Sequence, residues 1–245
     1  MALCEAAFPR KDRTMPRGRR WMTNAALVMI DTALLRVLFP VAAVGAAIWA
    51  QAKGWGIFNQ VSLPLWFEII SAMILLDLLI YAQHVAFHRI PFFWAMHKVH
   101  HADRDIDVTT GIRFHPFEIM ASMAYKMMCV VLLGPAAIAV ILFEIILNGC
   151  ALFNHANLRL PIIVDKTLRL LIVTPDMHRI HHSIIEAETN SNYGFSLSLW
   201  DRIFKTYRRA PEGGHDAMTI GLADMQDSSP NLLTASLLFP FKRSE

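Results

Sequence analysis

Apolar residues run almost unbroken from Ala33 to Ala50, stop at a polar break over Gln51–Gly54, and resume from Trp66 to Val85. Each run is close to the ~20 residues a helix needs to cross a bilayer, so the pattern predicts one span in each. Arg36, near the start of the first run, has an aliphatic stem long enough to carry its charge back to the interface. Two further runs, Glu118 to Gly134 and Pro135 to Leu152, meet at Gly134-Pro135 and predict a helical hairpin. Lys126 lies inside its first arm, which requires that arm to face protein or to sit shallower than a full crossing. The stretch from Ile162 to Val173 is short and broken by Asp165, Lys166 and Arg169, which predicts an amphipathic helix lying at the membrane surface.

These elements predict an all-α, multi-pass helical membrane protein with about four transmembrane helices. Composition agrees, since 55% hydrophobic and 18% charged residues depart from the ~45–50% and ~25% of soluble domains in the direction of a membrane protein. No long Pro/Gly/Ser linker divides the 245 residues, giving a basic N-terminal segment over 1–32, one membrane domain over 33–210 and a tail over 211–245. Arg19-Arg20 resemble the n-region of a signal peptide, but Asp31 and Arg36 interrupt the following apolar run and no small-residue cleavage site follows, which favours a retained anchor. By the positive-inside rule the basic segment stays in the cytoplasm and the charge-poor loop over 51–65 lies outside. The second span then returns inward, and the hairpin brings the chain back to the same side at Asn154-His155. Cys4, Cys129 and Cys150 form no C-x-x-C pair and imply no disulfide framework. A net charge of +3 gives nucleic-acid binding no support.

Ten of the eleven histidines cluster on that cytoplasmic side: His84 and His88, His97 with His100-His101, His115, His155, and His178 with His181-His182. At this histidine frequency one H-x-x-H-H is expected about 0.02 times by chance. The chain has two, so the ordinary reading of a lone histidine as core or surface does not apply to them. Residues four apart share a helix face, so His84 with His88, and the first and last histidines of each H-x-x-H-H, project together. Imidazole suits zinc, copper, iron and nickel, and a closed zinc site needs only four ligands. Eight to ten histidines point to two metals with positions left open. The Glu and Glu-x-x-His pattern of soluble di-iron bundles is not present. His215, in the Glu212–Asp216 loop, reads as solvated surface.

The combination of Asp77-x-x-x-Tyr81-x-x-His84-x-x-x-His88, Trp94-x-x-His97-Lys98-Val99-His100-His101, Arg113-Phe114-His115-Pro116, Phe153-Asn154-His155-Ala156-Asn157, Thr174-Pro175-x-x-His178-Arg179-x-His181-His182, Asn192-Tyr193-Gly194 and Trp200-Asp201-Arg202-Ile203-Phe204 resembles the membrane fatty acid hydroxylase and sterol desaturase superfamily. The resemblance covers about Leu76 to Tyr207. It implies a helical membrane domain capped on its cytosolic side by a histidine-rich site for two iron ions, with zinc able to substitute. It also implies O2-dependent attack on an unactivated lipid C–H bond, giving hydroxylation or desaturation. The eight histidines of the H-x-x-x-H and H-x-x-H-H motifs carry over as ligands, and His115 and His155 join them as single histidines. Asp77, Tyr81, Asn154 and Asn157 are candidates to accept the histidines' other N–H, the partner that metal-bound imidazole normally has. For Asp77 a paired acid inside a helical bundle is an equal reading. Asn192-Tyr193-Gly194 and Trp200-Asp201-Arg202 are expected to brace the cap.

Electrons must come from outside the chain, because it carries no G-x-G-x-x-G after a strand, no C-x-x-C-H and no His-Pro-Gly-Gly. A separate reductase with a cytochrome b5-like or ferredoxin-like carrier is expected. Two other classes use histidine clusters. A zinc-dependent membrane hydrolase would normally keep a general base such as the glutamate of H-E-x-x-H, which this chain lacks. A metal transporter would place ligands along its spans near the midplane, whereas these gather at one end.

Overall fold

The computed structural model describes residues 1–241, and among them the chain is helical throughout, with only isolated β-bridges. Its helices are α1 (Ala2–Ala7), α2 (Arg17–Leu38), α3 (Ala42–Lys53), α4 (Leu65–Arg89), α5 (Pro91–His101), α6 (Pro116–Leu133), α7 (Ala137–Asn154), α8 (Ile162–Leu168), α9 (Pro175–His181), α10 (Glu186–Thr189), α11 (Leu199–Ile203) and α12 (Leu233–Leu238). Four helical stretches, Arg17–Gln60, α4, α6 and α7, are long and apolar enough to cross a membrane.

The first span differs from its expected course. The run Ala33–Ala50 is not one helix: α2 ends at Leu38 and α3 restarts at Ala42. Pro40 causes the break, because its ring removes a backbone donor and pushes Phe39 out of the helical region, to φ −129° and ψ 61°. The N-terminal half of α2 buries Arg20, Thr23 and Asn24, so it belongs to the polar cap and not to the bilayer. In α3 the buried positions Ala43, Ala46, Ala47 and Ala50 recur at the three- and four-residue spacing of one face. Their small side chains let α3 lie close against α6 and α7.

α4 runs without interruption to Arg89, which the joint projection of His84 and His88 requires. The hairpin α6–α7 turns at Gly134, whose φ of +64° is costly for any residue with a Cβ. Asn59 Nδ2 donates to the carbonyls of Trp55 and Gly134 and ties this turn to the α3–α4 connection. Ala72, Leu76 and Ile80 of α4, Val130 and Leu133 of α6 and Val140, Phe143 and Leu147 of α7 form the core of the span region with the α3 alanines. Lys126 does face protein: its Nζ meets Glu144 Oε1 of α7 at 3.1 Å. The outward faces are apolar, and Trp49, Trp55 and Trp66 gather at the end of the bundle away from His84 and His88, as an interfacial aromatic belt would.

Helical structure after Pro161 covers only Ile162–Leu168, shorter than the stretch to Val173 expected from the pattern, because α8 closes at Arg169. Ile162, Ile163, Leu170 and Leu171 nonetheless remain exposed on one flank, while Asp165 turns inward to Thr174 and Arg169. Both ends of the described chain pack onto the cap. Glu5 of α1 accepts from the backbone N–H groups of Val108 and Asn157, and Arg20 of α2 is fully buried against Asp103 and Asp107. At the other end Phe239 is buried with Leu27, Val99 and Ala102.

Candidate metal centre

Five segments deliver imidazoles to one buried volume: the last two turns of α4, the C-terminal half of α5, the end of α7, α9, and the residue that closes α9. His84, His88, His97, His101 and His181 form one group, and His100, His155, His178 and His182 a second, each with its candidate ligand nitrogens within 4.8 Å of one another. The rings of His101 and His182 stack at 4.4 Å between centroids, so the groups adjoin.

Protonation is legible from the partners. His84 Nδ1 lies 2.7 Å from the Tyr193 carbonyl, His100 Nδ1 3.0 Å from that of Arg113, His155 Nδ1 2.6 Å from that of Ala151, and His181 Nδ1 2.8 Å from that of Ser191. A carbonyl only accepts, so each Nδ1 carries the proton and each Nε2 presents a lone pair. His97 Nδ1 lies 2.6 Å from the Glu118 carboxylate, which likewise can only accept, so this ring is also oriented through its Nδ1–H. His100 Nε2 and His155 Nε2 then face each other at 3.0 Å, lone pair to lone pair. No proton is available between them, and a shared cation is what reconciles that approach. The Nε2 atoms of His97, His101, His181 and His182 are buried with no hydrogen-bond partner among the described residues. Buried polar atoms are normally satisfied, so this set fits metal binding.

Burial pushes His155 down to about 4 and His181 down to about 3, and pushes His101, His178 and His182 well below the usual imidazole range, reinforced by their neighbours' charges. Each is held neutral, as a ligand must be. An unfolded chain binds a proton on each near pH ~6.5 and the folded one only near those lower values, so this stability is complete above ~6.5 and is lost as pH falls towards them. The melting midpoint of the metal-free protein is therefore expected to hold steady above pH ~6.5 and to fall progressively between ~6.5 and ~4. A midpoint unchanged across that window would mean that the imidazoles titrate as free ones do.

Some expected roles move. His115 lies outside both groups: its Nδ1 accepts from the Phe117 N–H to cap α6 and its Nε2 meets the Leu237 carbonyl at 3.3 Å. None of the four residues expected to accept from histidine does so. Asp77 instead accepts from the backbone N–H groups of Ser196 and Leu197 and from Trp200 Nε1. Tyr81 bonds Thr206 at 2.8 Å and packs between Phe204 and Tyr193. Asn154 donates to the Phe195 carbonyl, and Asn157 holds the backbone of Lys11. The contacts of Asp77, Tyr81 and Asn154 fasten α4 and α7 to the segment that carries the Tyr193 carbonyl, while Asn157 ties the chain after α7 to the N-terminal segment. Asp201 completes that brace by accepting from the N–H groups of Tyr193 and Gly194. His215 is not free surface: it is largely covered, sits 3.8 Å from Asp176, and burial lowers it to about 4.

Glu118 is the functional residue the motifs do not reveal. Its only signal is an acid in the first turn of an otherwise apolar helix. A cavity of about 140 Å³ opens beside the histidines between α4, α6 and α7, lined by His84, His97, His100 and His178 together with Phe87, Phe114, Leu147 and Phe195.

A buried all-imidazole cluster that could hold metal, at one end of a bundle of helices long and apolar enough to span a membrane and with an aromatic-walled cavity against it, defines the class: a histidine-capped helical membrane protein. A family model described as fatty acid hydroxylase matches residues 69–206, more than half of the chain, and the chain belongs to that family. It is 27% identical over 148 residues to the ornithine lipid hydroxylase OlsE of Rhizobium tropici, covering 60% of this chain and 44% of that protein. To the alkylglycerol monooxygenase of Caenorhabditis elegans it is 25% identical over 198 residues, covering 77% of this chain and 37% of the other. To the cholesterol 25-hydroxylase of Homo sapiens it is 24% identical over 144 residues, covering 58% and 52%. The chain thus spans about half or less of the length of these relatives. No solved structure matches it.

Proposed function

We propose that this chain is an integral-membrane di-iron oxidoreductase that uses O2 to hydroxylate, or desaturate, a C–H bond of a lipid. The observation that carries the reading is the 3.0 Å approach of His100 Nε2 and His155 Nε2, both with their protons committed to backbone carbonyls. Family membership and the lipid hydroxylases and monooxygenases among its relatives support the choice of chemistry. His84, His88, His97, His101 and His181 would hold one iron, and His100, His155, His178 and His182 the other. Bound there, two irons supply O2 activation for cleavage of an unactivated C–H bond.

The chain's own residues do the rest. The carbonyls of Tyr193, Arg113, Ala151 and Ser191, with the Glu118 carboxylate, fix ring orientation by holding each Nδ1–H, which turns each Nε2 toward the site. Phe87, Phe114 and Phe195 line the cavity with apolar surface, which excludes water from the reacting carbon and holds an alkyl segment against the histidines. The basic segment before the first span supports a cytoplasmic cap, where a separate reductase and a cytochrome b5-like or ferredoxin-like carrier would deliver electrons. A zinc hydrolase reading needs a free general base, and the carboxylate that touches the histidines, Glu118, is already bonded to His97.

Protein purified in mild detergent from iron-supplemented cells is expected to carry close to two irons per chain. Supplied with a reductase system and 18O2, it is expected to place labelled oxygen in a lipid hydroxyl if it hydroxylates, or to form a new double bond if it desaturates. One metal or none after careful reconstitution, or lipid hydrolysis without O2 consumption, would overturn the proposal.

A further inference from the structure

The same cavity has a polar side that an alkyl chain does not need. Besides the histidines and phenylalanines it is lined by Gln83 of α4, Ser122 and Lys126 of α6, and Asn148 of α7. Two rows of polar groups lead to it. On α6, Glu118, Ser122 and Lys126 recur every fourth residue and therefore share a face. On α7, Ala151, Asn148 and Glu144 do the same in steps of three and four. Each row starts at a contact to a histidine, Glu118 at His97 and the Ala151 carbonyl at His155. Each ends at one partner of the Lys126–Glu144 ion pair. At ~1.5 Å per residue, Lys126 stands about 12 Å along α6 from Glu118.

Charges inside membrane-spanning helices are costly and by default mark a functional site. Here Lys126 and Glu144 cancel, so the end of the cavity away from the histidines carries dipoles but no net charge of its own. Its unused capacity is mixed. Gln83 Nε2 donates to Ser122 Oγ at 2.8 Å, so the Ser122 hydroxyl proton is free to donate onward. Gln83 Oε1 is buried and has no partner among the described residues. Lys126 uses one of its three N–H groups on Glu144. Donor and acceptor capacity thus lie side by side. A carboxylate or phosphate would need a net positive wall, and a plain hydrocarbon would leave Gln83 Oε1 without a partner.

We infer that Gln83, Ser122 and Lys126 recognise an uncharged hydroxyl or amide group on the substrate, and that the oxidised carbon lies within about 12 Å of that group. This rests on the lipid-oxygenase reading and narrows it to amphiphiles oxidised near their polar group, as opposed to the middle of a long chain.

The test uses the 245-residue chain in detergent, with ligand affinity read from the concentration dependence of its melting midpoint. The probes are hexadecanol, palmitate and hexadecane. The wild type is expected to bind hexadecanol roughly tenfold more tightly than either other probe. Ser122→Ala and the charge-neutral double variant K126M/E144Q are each expected to erase most of that preference while metal content stays at the wild-type level. If the double variant fails to fold, Ser122→Ala decides, since it removes only a hydroxyl. Equal affinity for all three probes, or variants that keep the wild-type preference, would overturn the inference and leave Lys126–Glu144 as an interhelical staple. Because binding is read without turnover, a wild type that binds hexadecanol selectively but oxidises nothing would count against the oxygenase reading alone.

Discussion

Replacing His155 by alanine is expected to remove lipid oxidation and to reduce bound iron from two ions to one per chain. His155 Nε2 sits 3.0 Å from both His100 Nε2 and His178 Nε2, so it is central to the second group and contributes nothing to the first. With three imidazoles left, that group falls below the four ligands of a closed site, while the five of the first are untouched. The activity loss should be at least ~100-fold, since even outer-shell partners of metal sites cost 10–100-fold when removed. His115→Ala is the control of equal chemistry. It deletes a helix cap worth roughly 1 kcal/mol and should lower the melting point slightly with both irons retained. Elemental analysis of the two variants beside wild type checks both. Two irons in H155A, or one in H115A, would reverse the assignment.

The second large effect is expected at Arg20, which contacts no histidine. Its guanidinium is fully buried, with Nε donating to Asp103 at 2.7 Å and Nη1 to Asp107 at 2.9 Å. Asp103 also receives Thr110, and Asp107 receives Trp21 and the backbone of Thr109. Arg20→Ala would strand two carboxylates without their cation, which typically costs about 3–5 kcal/mol. Burial raises the Asp107 carboxyl, but Arg20 and its hydrogen bonds outweigh that and hold it below the usual range, so the network is complete at neutral pH and weakens only in acid. The loop over 103–112 leads into Arg113, whose carbonyl orients His100. Metal affinity should therefore fall together with the unfolding midpoint. A variant as stable as wild type in thermal or denaturant unfolding would mean that the pair is as dispensable as a solvated one.

Legibility followed the kind of signal each feature leaves. α4 and the α6–α7 hairpin carry long apolar runs with clear breaks, and nine clustered histidines belong to residue-type patterns that folding could only bring together. The partners of those histidines leave no such trace. Four are backbone carbonyls, of Tyr193, Arg113, Ala151 and Ser191, and a carbonyl is the same whatever residue bears it. Asp77, Tyr81 and Asn154 look like histidine partners from their spacing along α4 and α7, yet they reach past the rings to the 195–206 segment. Spacing along one helix reports a shared face and says nothing of what packs against it. The division of the first span was visible in Pro40, but hydropathy alone runs across it. The inward turn of Arg20 depended on Asp103 and Asp107, more than 80 residues distant, which no local window can pair.

The two histidine groups are unequal in how they are assembled. Four of the five imidazoles in the first come from residues 84–101, a helix end and the short helix that follows it, so little chain entropy is lost in closing that set. The second draws single residues from α5, the end of α7, and both ends of the segment 178–182, and it exists only once the whole hairpin has docked. During synthesis, a chain that has emerged only as far as α5 already owns most of one site and almost none of the other. On the proposed two-ion reading, the first site is the one that local chain assembles and the second is the one that depends on closure of the bundle.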